Sequence, residues 1–343
     1  MRIAVIGAGS LGIVIGAFLS RSNLYDVTLV DADAKNVQVL NEKGATTKGA
    51  VEMTVPVKAI VPEQMHGVYD LALILTKQIF NESVLTNIKK YMDDNTLVCS
   101  LQNGMPEEEL LRFIPRKQVI GGSVGFGATW LEPGVSLITS SMISLTNFAF
   151  YIGELDGQIT DRIKKVAQIL SNVGHCDILD SLIATRWTKI MNNSSFSGMS
   201  AALGCTFGQV LDEQEALYAA ANISSEVIKT LKAAGYSLVK MQGEDKNYLE
   251  LAKPEDAPTL FADYKRVWEK NRLLKASMLQ DLEKGRRTEI DFINGYVCKK
   301  ARGLGVATPY NDMVVTLVKE AEQKGQVPSL QENIKRFIQL KNK

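Results

Sequence analysis

The strongest constraint on this chain lies at its amino terminus. The β-branched, apolar run Arg2–Ile6 runs directly into Gly7-Ala8-Gly9-Ser10-Leu11-Gly12, which opens the helix-length stretch LGIVIGAFLSRS. A second apolar run, Asp26–Val30, ends at Asp31, 19 residues after Gly12. A strand, a glycine turn, a helix and a second strand ending in a carboxylate form one physical unit. Gly7 permits the tight turn, Gly9 keeps a Cβ away from an approaching pyrophosphate, and Gly12 lets helix and strand pack closely. The helix N-terminus, with Ala8, Ser10 and Leu11 beside the glycines, offers N–H groups to phosphate oxygens. Asp31 stands where a carboxylate accepts from an adenosine ribose hydroxyl. The reading is a dinucleotide site. A carboxylate at Asp31 repels a 2′-phosphate, and Ala32 follows it where an arginine would have received one, so NADH is favoured over NADPH.

The rest of the first half continues the alternation. Helices are expected at 34–42, 78–92 and 107–113, and strands at 69–75 and 96–101, with 51–60 as a strand pair or edge strand because of Pro56. From about 119 to 152 the chain is glycine-rich and β-branched, followed by a helix at 160–173 and a strand at 176–180. From Ser181 nearly every window reads helical, with long segments around 182–202, 208–236, 258–284 and 288–304 and a polar loop at 242–258. The expected organisation is an α/β Rossmann-type domain over 1–180, built on a parallel sheet with helices on both faces, followed by an all-α domain over 181–343.

Composition removes several function classes. With 39 basic and 38 acidic residues in 343, there is no electrostatic case for nucleic acid or an anionic membrane. Only two histidines, His66 and His175, and four scattered cysteines occur, none at metal-ligand spacing, so no metal site is expected. Such cysteine usage suits a reducing compartment, and no apolar run reaches the length of a membrane span or signal core, so the expectation is a cytoplasmic protein. His175 beside Cys176 reads as a strand-edge pair. Trp130, Trp187 and Trp268 read as packing, and Arg286-Arg287 and Lys299-Lys300 as solvated helix faces. The long C-terminal helices allow a homodimer and equally an intrachain core.

With no convincing histidine, the proton chemistry falls to another group. Lys189, Asn193 and Ser197 recur at i, i+4 and i+8, which places one cation and two hydrogen-bonding side chains on one helical face. A lysine in a cleft has its pKa lowered toward the range of a useful general acid. Spacing alone leaves a solvated lysine as the stronger reading.

Five segments change that balance: GAGSLG at 7–12, LTK at 75–77, QNGM at 102–105, RWTKIMNN at 186–193 and SMLQDLEKGRRTEIDFING at 277–295. On these the chain resembles the ketopantoate reductase (2-dehydropantoate 2-reductase) family. The resemblance implies a dinucleotide-binding N-terminal domain and a C-terminal domain like that of 6-phosphogluconate dehydrogenase. It also implies NAD(P)H as cofactor, NADPH being usual in the family. Lys189 would be the general acid and Glu289 its carboxylate partner or a substrate ligand. Asn103 would orient substrate near the nicotinamide, Asn193, Ser197 and Ser277 would bind the keto acid, and Lys77 would lie near the adenosine end.

The chain departs from the family where family members often carry asparagine at the places of Ser197 and Leu274, proline or alanine at Gly198, and arginine at Ala32. The leading expectation is reduction of a 2-keto acid, best ketopantoate to (R)-pantoate in pantothenate synthesis. The alternative on the same scaffold is an NAD-dependent D-2-hydroxyacid dehydrogenase of mandelate type, which Asp31, Ser197 and Leu274 favour. A non-catalytic dinucleotide sensor is a third reading, and the Lys189–Glu289 pair argues against it.

Overall fold

The computed structural model describes residues 1–241 and 243–342 and divides into two compact units, Met1–Ile183 and Ala184–Lys343. Gln242, where the expected polar loop begins, lies outside the described residues.

The first unit contains twelve strands: β1 (Arg2–Ile6), β2 (Asp26–Val30), β3 (Ala45–Gly49), β4 (Met53–Val55), β5 (Lys58–Ile60), β6 (Leu71–Ile74), β7 (Leu97–Ser100), β8 (Val119–Val124), β9 (Ala128–Glu132), β10 (Val135–Ile138), β11 (Phe150–Gly153) and β12 (Cys176–Leu179). Among them run helices α1 (Ser10–Arg21), α2 (Ala34–Lys43), α3 (Asn81–Ile88), α4 (Glu107–Phe113), α5 (Met142–Phe148) and α6 (Asp161–Leu170). The main sheet has the order β12-β11-β8-β7-β6-β1-β2-β5. Its central strands are buried on both sides, so they read as unbroken apolar runs. Ile3 and Val5 of β1 point into one core with α1 and α6, and Ala4 and Ile6 into another with α3 and α4.

Three expectations are corrected here. The sheet is mixed, because β11 runs antiparallel to β8. A second sheet, β4-β3-β10-β9, packs on α1; the short, polar β3 (ATTKG) carries too weak an alternation to announce it. The helix expected at 78–92 is regular only over α3, preceded by a tight turn at Gln78–Phe80. There the Gln78 side chain turns inward and its Nε2 donates to the Asn103 carbonyl at 2.5 Å.

The second unit is helical. It holds α7 (Leu182–Asn192, which begins at the end of the first unit), a π-helical turn at Asn193–Ser197, α8 (Gly198–Leu203), α9 (Phe207–Asp212), α10 (Gln214–Ala233), α11 (Ala257–Trp268), α12 (Ser277–Glu283), α13 (Asn294–Gly303), α14 (Pro309–Lys324) and α15 (Leu330–Lys341). α10 is its centre, touching α9, α11, α13, α14 and α15. The expected continuous helix over 258–284 is two helices. The carbonyls of Arg272 and Leu274 accept from Gly208 and Phe207 at the start of α9, which draws the connecting chain out of helical geometry. Arg286-Arg287 are exposed but lie in the loop after α12, on no helix face. Among the described residues no helix is long and apolar enough to cross a membrane.

Candidate active site

In the first unit, strand order gathers the sequence motifs. β7, β6, β1 and β2 are parallel neighbours, so the loops after their C-terminal ends lie side by side. Those loops carry QNGM, LTK, GAGSLG and Asp31. The chain leaves β1 toward β2 on one side and later returns to β6 on the other, which makes this edge a topological switch point, where open α/β sheets bind ligands.

The glycines behave as their chemistry requires. Gly7 has φ +96°, and a Cβ there would meet Thr76 at 2.9 Å. A Cβ on Gly12 would lie 1.9 Å from the Gly7 carbonyl oxygen. Above Gly9 a Cβ would meet nothing within 4 Å, so the space over the start of α1 is open. Gly9 caps α1 with no side-chain acceptor, and no acidic residue occupies the first turn. These features fit a bound pyrophosphate.

Asp31 continues beyond β2 through its own N–H, which donates to the Ile60 carbonyl. Its carboxylate accepts from the Asp33 N–H at 2.8 Å and also from the Ala8 N–H and the Asn36 side chain. Burial nevertheless outweighs these bonds and raises its pKa above the usual carboxylate value. Asn36 itself is a residue that sequence reasoning passed over. Its Nδ2 donates to the Ala8 carbonyl at 3.0 Å, and its Oδ1 accepts from Gly134 N at 2.8 Å, tying the glycine loop to the second sheet.

The LTK and QNGM loops are locked together by Gln102. Its Nε2 donates to the Thr76 carbonyl at 2.7 Å and to Asn81 Oδ1 at 2.6 Å, while Ser100 Oγ donates to its Oε1 at 3.0 Å. Asn103 follows, partly accessible and just ahead of Gly104 at φ +75°. Lys77 opens the turn at Gln78–Phe80 and is likewise partly accessible.

In the second unit, α7 and the π turn carry the candidate face. Lys189, Asn192, Asn193 and Ser197 are partly accessible, whereas Ile190, Met191 and Ser194–Phe196 are buried. The regular i, i+4, i+8 face expected from the sequence is altered, since the π turn begins at Asn193 and widens the spacing to Ser197. Such turns are rare and concentrate at functional sites. The turn is held by buried bonds: Ser195 Oγ donates to the Met191 carbonyl at 2.8 Å, and Asn294 Nδ2 to the Ser194 carbonyl at 3.1 Å. Gly198 opens α8 where a Cβ would stand 2.8 Å from Asn294 Oδ1, so glycine permits this approach of α8 to α13.

Lys189 is the strongly perturbed cation of this face. Burial, and then the charge of Arg186, lower its pKa to about 7, while Glu289 acts in the opposite sense. Arg186 is almost fully buried one turn earlier on α7. It belongs to the RWTKIMNN motif, where spacing and resemblance assign it no role. Glu289, 8% exposed, precedes the short turn Ile290–Phe292, away from any long helix. Its neighbour Thr288 is fixed by Glu322 of α14, whose Oε1 accepts from both the Thr288 N–H and hydroxyl at 2.7 Å. Ser277 is exposed as the first residue of α12, whose start is pinned by Ala276 N donating to Ser200 Oγ at 3.2 Å. Leu274 is 39% exposed.

Other noted residues take structural roles. Trp187 packs on Tyr296, and Trp268 stacks on Phe196 with ring centres 4.4 Å apart. His175 Nε2 lies 3.0 Å from Asp177 Oδ1, and burial raises the Cys176 thiol to about 12, far from a reactive thiolate.

Residues 3–156 match the family described as ketopantoate reductase PanE/ApbA, and residues 181–322 match its C-terminal domain. A 2-dehydropantoate 2-reductase of Archaeoglobus fulgidus is 28% identical over 94% of this chain and 98% of its own. Among solved structures, a D-mandelate dehydrogenase with NADH and anilino(oxo)acetate is 26% identical with a TM-score of 0.79, covering 95% of this chain and 99% of its own. The 2-dehydropantoate 2-reductase of Geobacter metallireducens is 27% identical with a TM-score of 0.77, covering 94% and 100%. The family matches span both units and contain every motif described above, so this chain belongs to the ketopantoate reductase family of NAD(P)H-dependent oxidoreductases.

Proposed function

We propose that this enzyme reduces a 2-keto acid to the 2-hydroxy acid, with ketopantoate to (R)-pantoate as the first assignment and NADH as the preferred reductant. The observation that carries the reading is Lys189, a lysine whose pKa is lowered to about 7 by burial and Arg186 and which answers to the carboxylate of Glu289. A ketone accepting hydride at carbon develops negative charge on oxygen. A cation placed at that oxygen stabilises the charge, and one with a pKa near neutrality also gives up its proton readily. Lys189 is assigned as that acid, with its Nζ proton passing to the carbonyl oxygen. Glu289 holds the lysine in its charged form against burial. Asn193 and Ser197 continue the same accessible face and, with Ser277, are assigned to the substrate; Asn103 is assigned to orient it.

The residues after β1 and β2 fit a dinucleotide: open space over Gly9, the φ of Gly7, and an acceptor at Asp31. Gly7 to Gly12 would hold its pyrophosphate, Asp31 its ribose, and Lys77 the adenosine end. When bound in reduced form it supplies the hydride. Asp31 followed by exposed Ala32 favours NADH, since a carboxylate repels a phosphate and no arginine stands beside it.

Leu274 supports a second substrate reading. An exposed leucine three residues before Ser277 replaces an amide with an apolar surface, which suits a branched or aromatic keto acid. An apolar pocket discriminates weakly, so that enzyme would be broad. Initial rates with NADH and NADPH against ketopantoate, 2-ketoisovalerate and benzoylformate decide between them. A kcat/KM highest for ketopantoate supports the first assignment. A preference for benzoylformate replaces it with the second, and absence of turnover with all three refutes both.

A further inference from the structure

Beside the Lys189 face runs the irregular segment between α10 and α11, where composition suggested only a polar loop. It lies along α7 at two points one turn apart. Val239 N donates to Thr188 Oγ1 at 3.0 Å, and Lys246 Nζ donates to Asn192 Oδ1 at 2.8 Å. Thr188 is buried, but Asn192 is partly accessible and lies three residues after Lys189, beside it on the helix surface. Lys246 is therefore held at the rim of that face.

Its surroundings are unusual for a lysine. It is 8% exposed, and its Nζ sits 5.2 Å from the centre of the Trp268 ring. Among the described residues no carboxylate lies within ion-pair distance of it. Glu244, the carboxylate whose charge reaches it, is paired with Arg266 at 3.5 Å, and Lys270 adds a like charge. Burial and Lys270 lower its pKa to about 8, the mark of a cation short of countercharge. Buried charges are ordinarily paired, and an unpaired one is costly to keep.

Asn192 supplies the second half of the argument. An ammonium only donates, so the Lys246 contact fixes the Asn192 carbonyl toward the lysine and turns its NH2 away. Asn192 is partly accessible, and among the described residues its Nδ2 meets no acceptor. An amide donor and a cation thus stand together one turn after Lys189.

We infer that Lys246 and Asn192 form the subsite for the carboxylate of the 2-keto acid, Asn192 Nδ2 donating to it directly and Lys246 supplying the charge. This rests on the 2-keto acid reading above and adds what selects the acid. It also accounts for the loss of an amide at Ser197, since Asn192 offers one along the same face. A lysine serving only to fasten the segment to α7 would have no reason to distinguish charged from neutral substrates.

The test compares the best keto acid from the rate survey with its methyl ester, using NADH and the variants Lys246→Met, Lys246→Arg and Asn192→Ala. Hydrogen bonds to charged groups contribute about 1.5–3 kcal/mol, or roughly tenfold to a hundredfold. Lys246→Met and Asn192→Ala are therefore expected to raise KM for the acid about tenfold or more, with kcat within about threefold and KM for the ester unchanged. Lys246→Arg keeps the charge and should recover much of the acid preference. Parallel shifts for acid and ester, or a lowered melting temperature with no kinetic shift, overturn the inference. A wild-type enzyme that reduces acid and ester with equal KM overturns the inference alone. One that reduces neither refutes the 2-keto acid reading, and the subsite falls with it.

Discussion

Lys189 shows how much chemistry one environment imposes on one side chain. Arg186 sits one turn before it, nearly inaccessible, and together with burial brings the lysine to about 7. The sign of the resulting pH dependence follows from the direction of the reaction. With Lys189 as the proposed acid, reduction needs the ammonium, so its rate should be level below about pH 7 and fall above it; oxidation of the hydroxy acid needs the neutral amine and should rise over the same interval. Lys189→Met should lower kcat for reduction by about two to four orders of magnitude, the usual contribution of a positioned acid, and abolish that break. Initial rates across pH 5.5–9 in both directions check this, and a break retained in the variant would move the acid to another group. At the other end of the chemistry, Asp31 makes an equally local prediction. Its carboxylate receives N–H groups from Asp33 and Ala8 and stands at the end of β2, where a ribose or a 2′-phosphate would meet it. Asp31→Ser combined with Ala32→Arg should shift the NADH/NADPH ratio of kcat/KM toward NADPH by at least tenfold, since two charges change in its favour; an unmoved ratio would place discrimination elsewhere.

Among the elements, α1 was the most legible in sequence and the π turn the least. Strand β1, the glycine turn and α1 obey rules local to about twenty residues: an apolar run, a φ only glycine tolerates, and a helix that must approach the strand. Gly12 is the sharpest of these, with a Cβ position 1.9 Å from the Gly7 carbonyl oxygen. Gly12→Ala must push α1 off the turn. Overpacking of this kind costs roughly 1–3 kcal/mol, so the melting temperature should fall by several degrees. NADH affinity, read by fluorescence titration, should weaken at least tenfold, and unchanged affinity would mean that this turn holds no pyrophosphate. The π turn had no such local signal. Its extra width depends on Asn294, 100 residues away in sequence, donating to the Ser194 carbonyl, and on Gly198 leaving room for that asparagine. The proposed roles of Lys189, Glu289 and Asn103 come from motif resemblance. Arg186 and Asn36 were present in the sequence as ordinary residues, and only burial and long-range partners show what they do. The break between α11 and α12 was hidden for the same reason, since the bonds that cause it come from α9.

The helical unit as a whole is organised around a carboxylate that no motif announced. Glu226, on the central helix α10, is 7% exposed and accepts from the N–H groups of Tyr310 and Asn311 at 2.8 and 2.9 Å, and from Asn311 Nδ2 at 2.7 Å. Asn311 Oδ1 in turn accepts from Asn294 at 2.9 Å, and Asn294 holds the π turn. One chain of bonds therefore joins α10, the start of α14, α13 and the turn that follows Lys189. Burial overcomes those three donors and raises the Glu226 pKa from 4.5 to about 7. A carboxyl whose pKa is higher folded than unfolded binds more protons in the native state between those two values. Native stability is then greatest below about pH 4.5 as far as this group is concerned, declines as pH rises through 7, and is level above. Lys189 contributes the opposite slope in a separate window, because its folded pKa near 7 lies below the ordinary 10.5, so stability gains with pH from 7 upward, and Lys246, lowered to about 8, adds to that gain above pH 8. The two slopes together place a shallow minimum near neutrality. Glu226→Gln keeps the shape and removes the titration. Its melting temperature should change less than that of the wild type between pH 5 and 7, while the limb above pH 7 stays as before. Thermal melts at half-unit steps from pH 5 to 9 on wild type, Glu226→Gln and Lys189→Met separate the two limbs. An acidic limb unchanged in Glu226→Gln would mean that Glu226 is ionised throughout, its three donors outweighing burial.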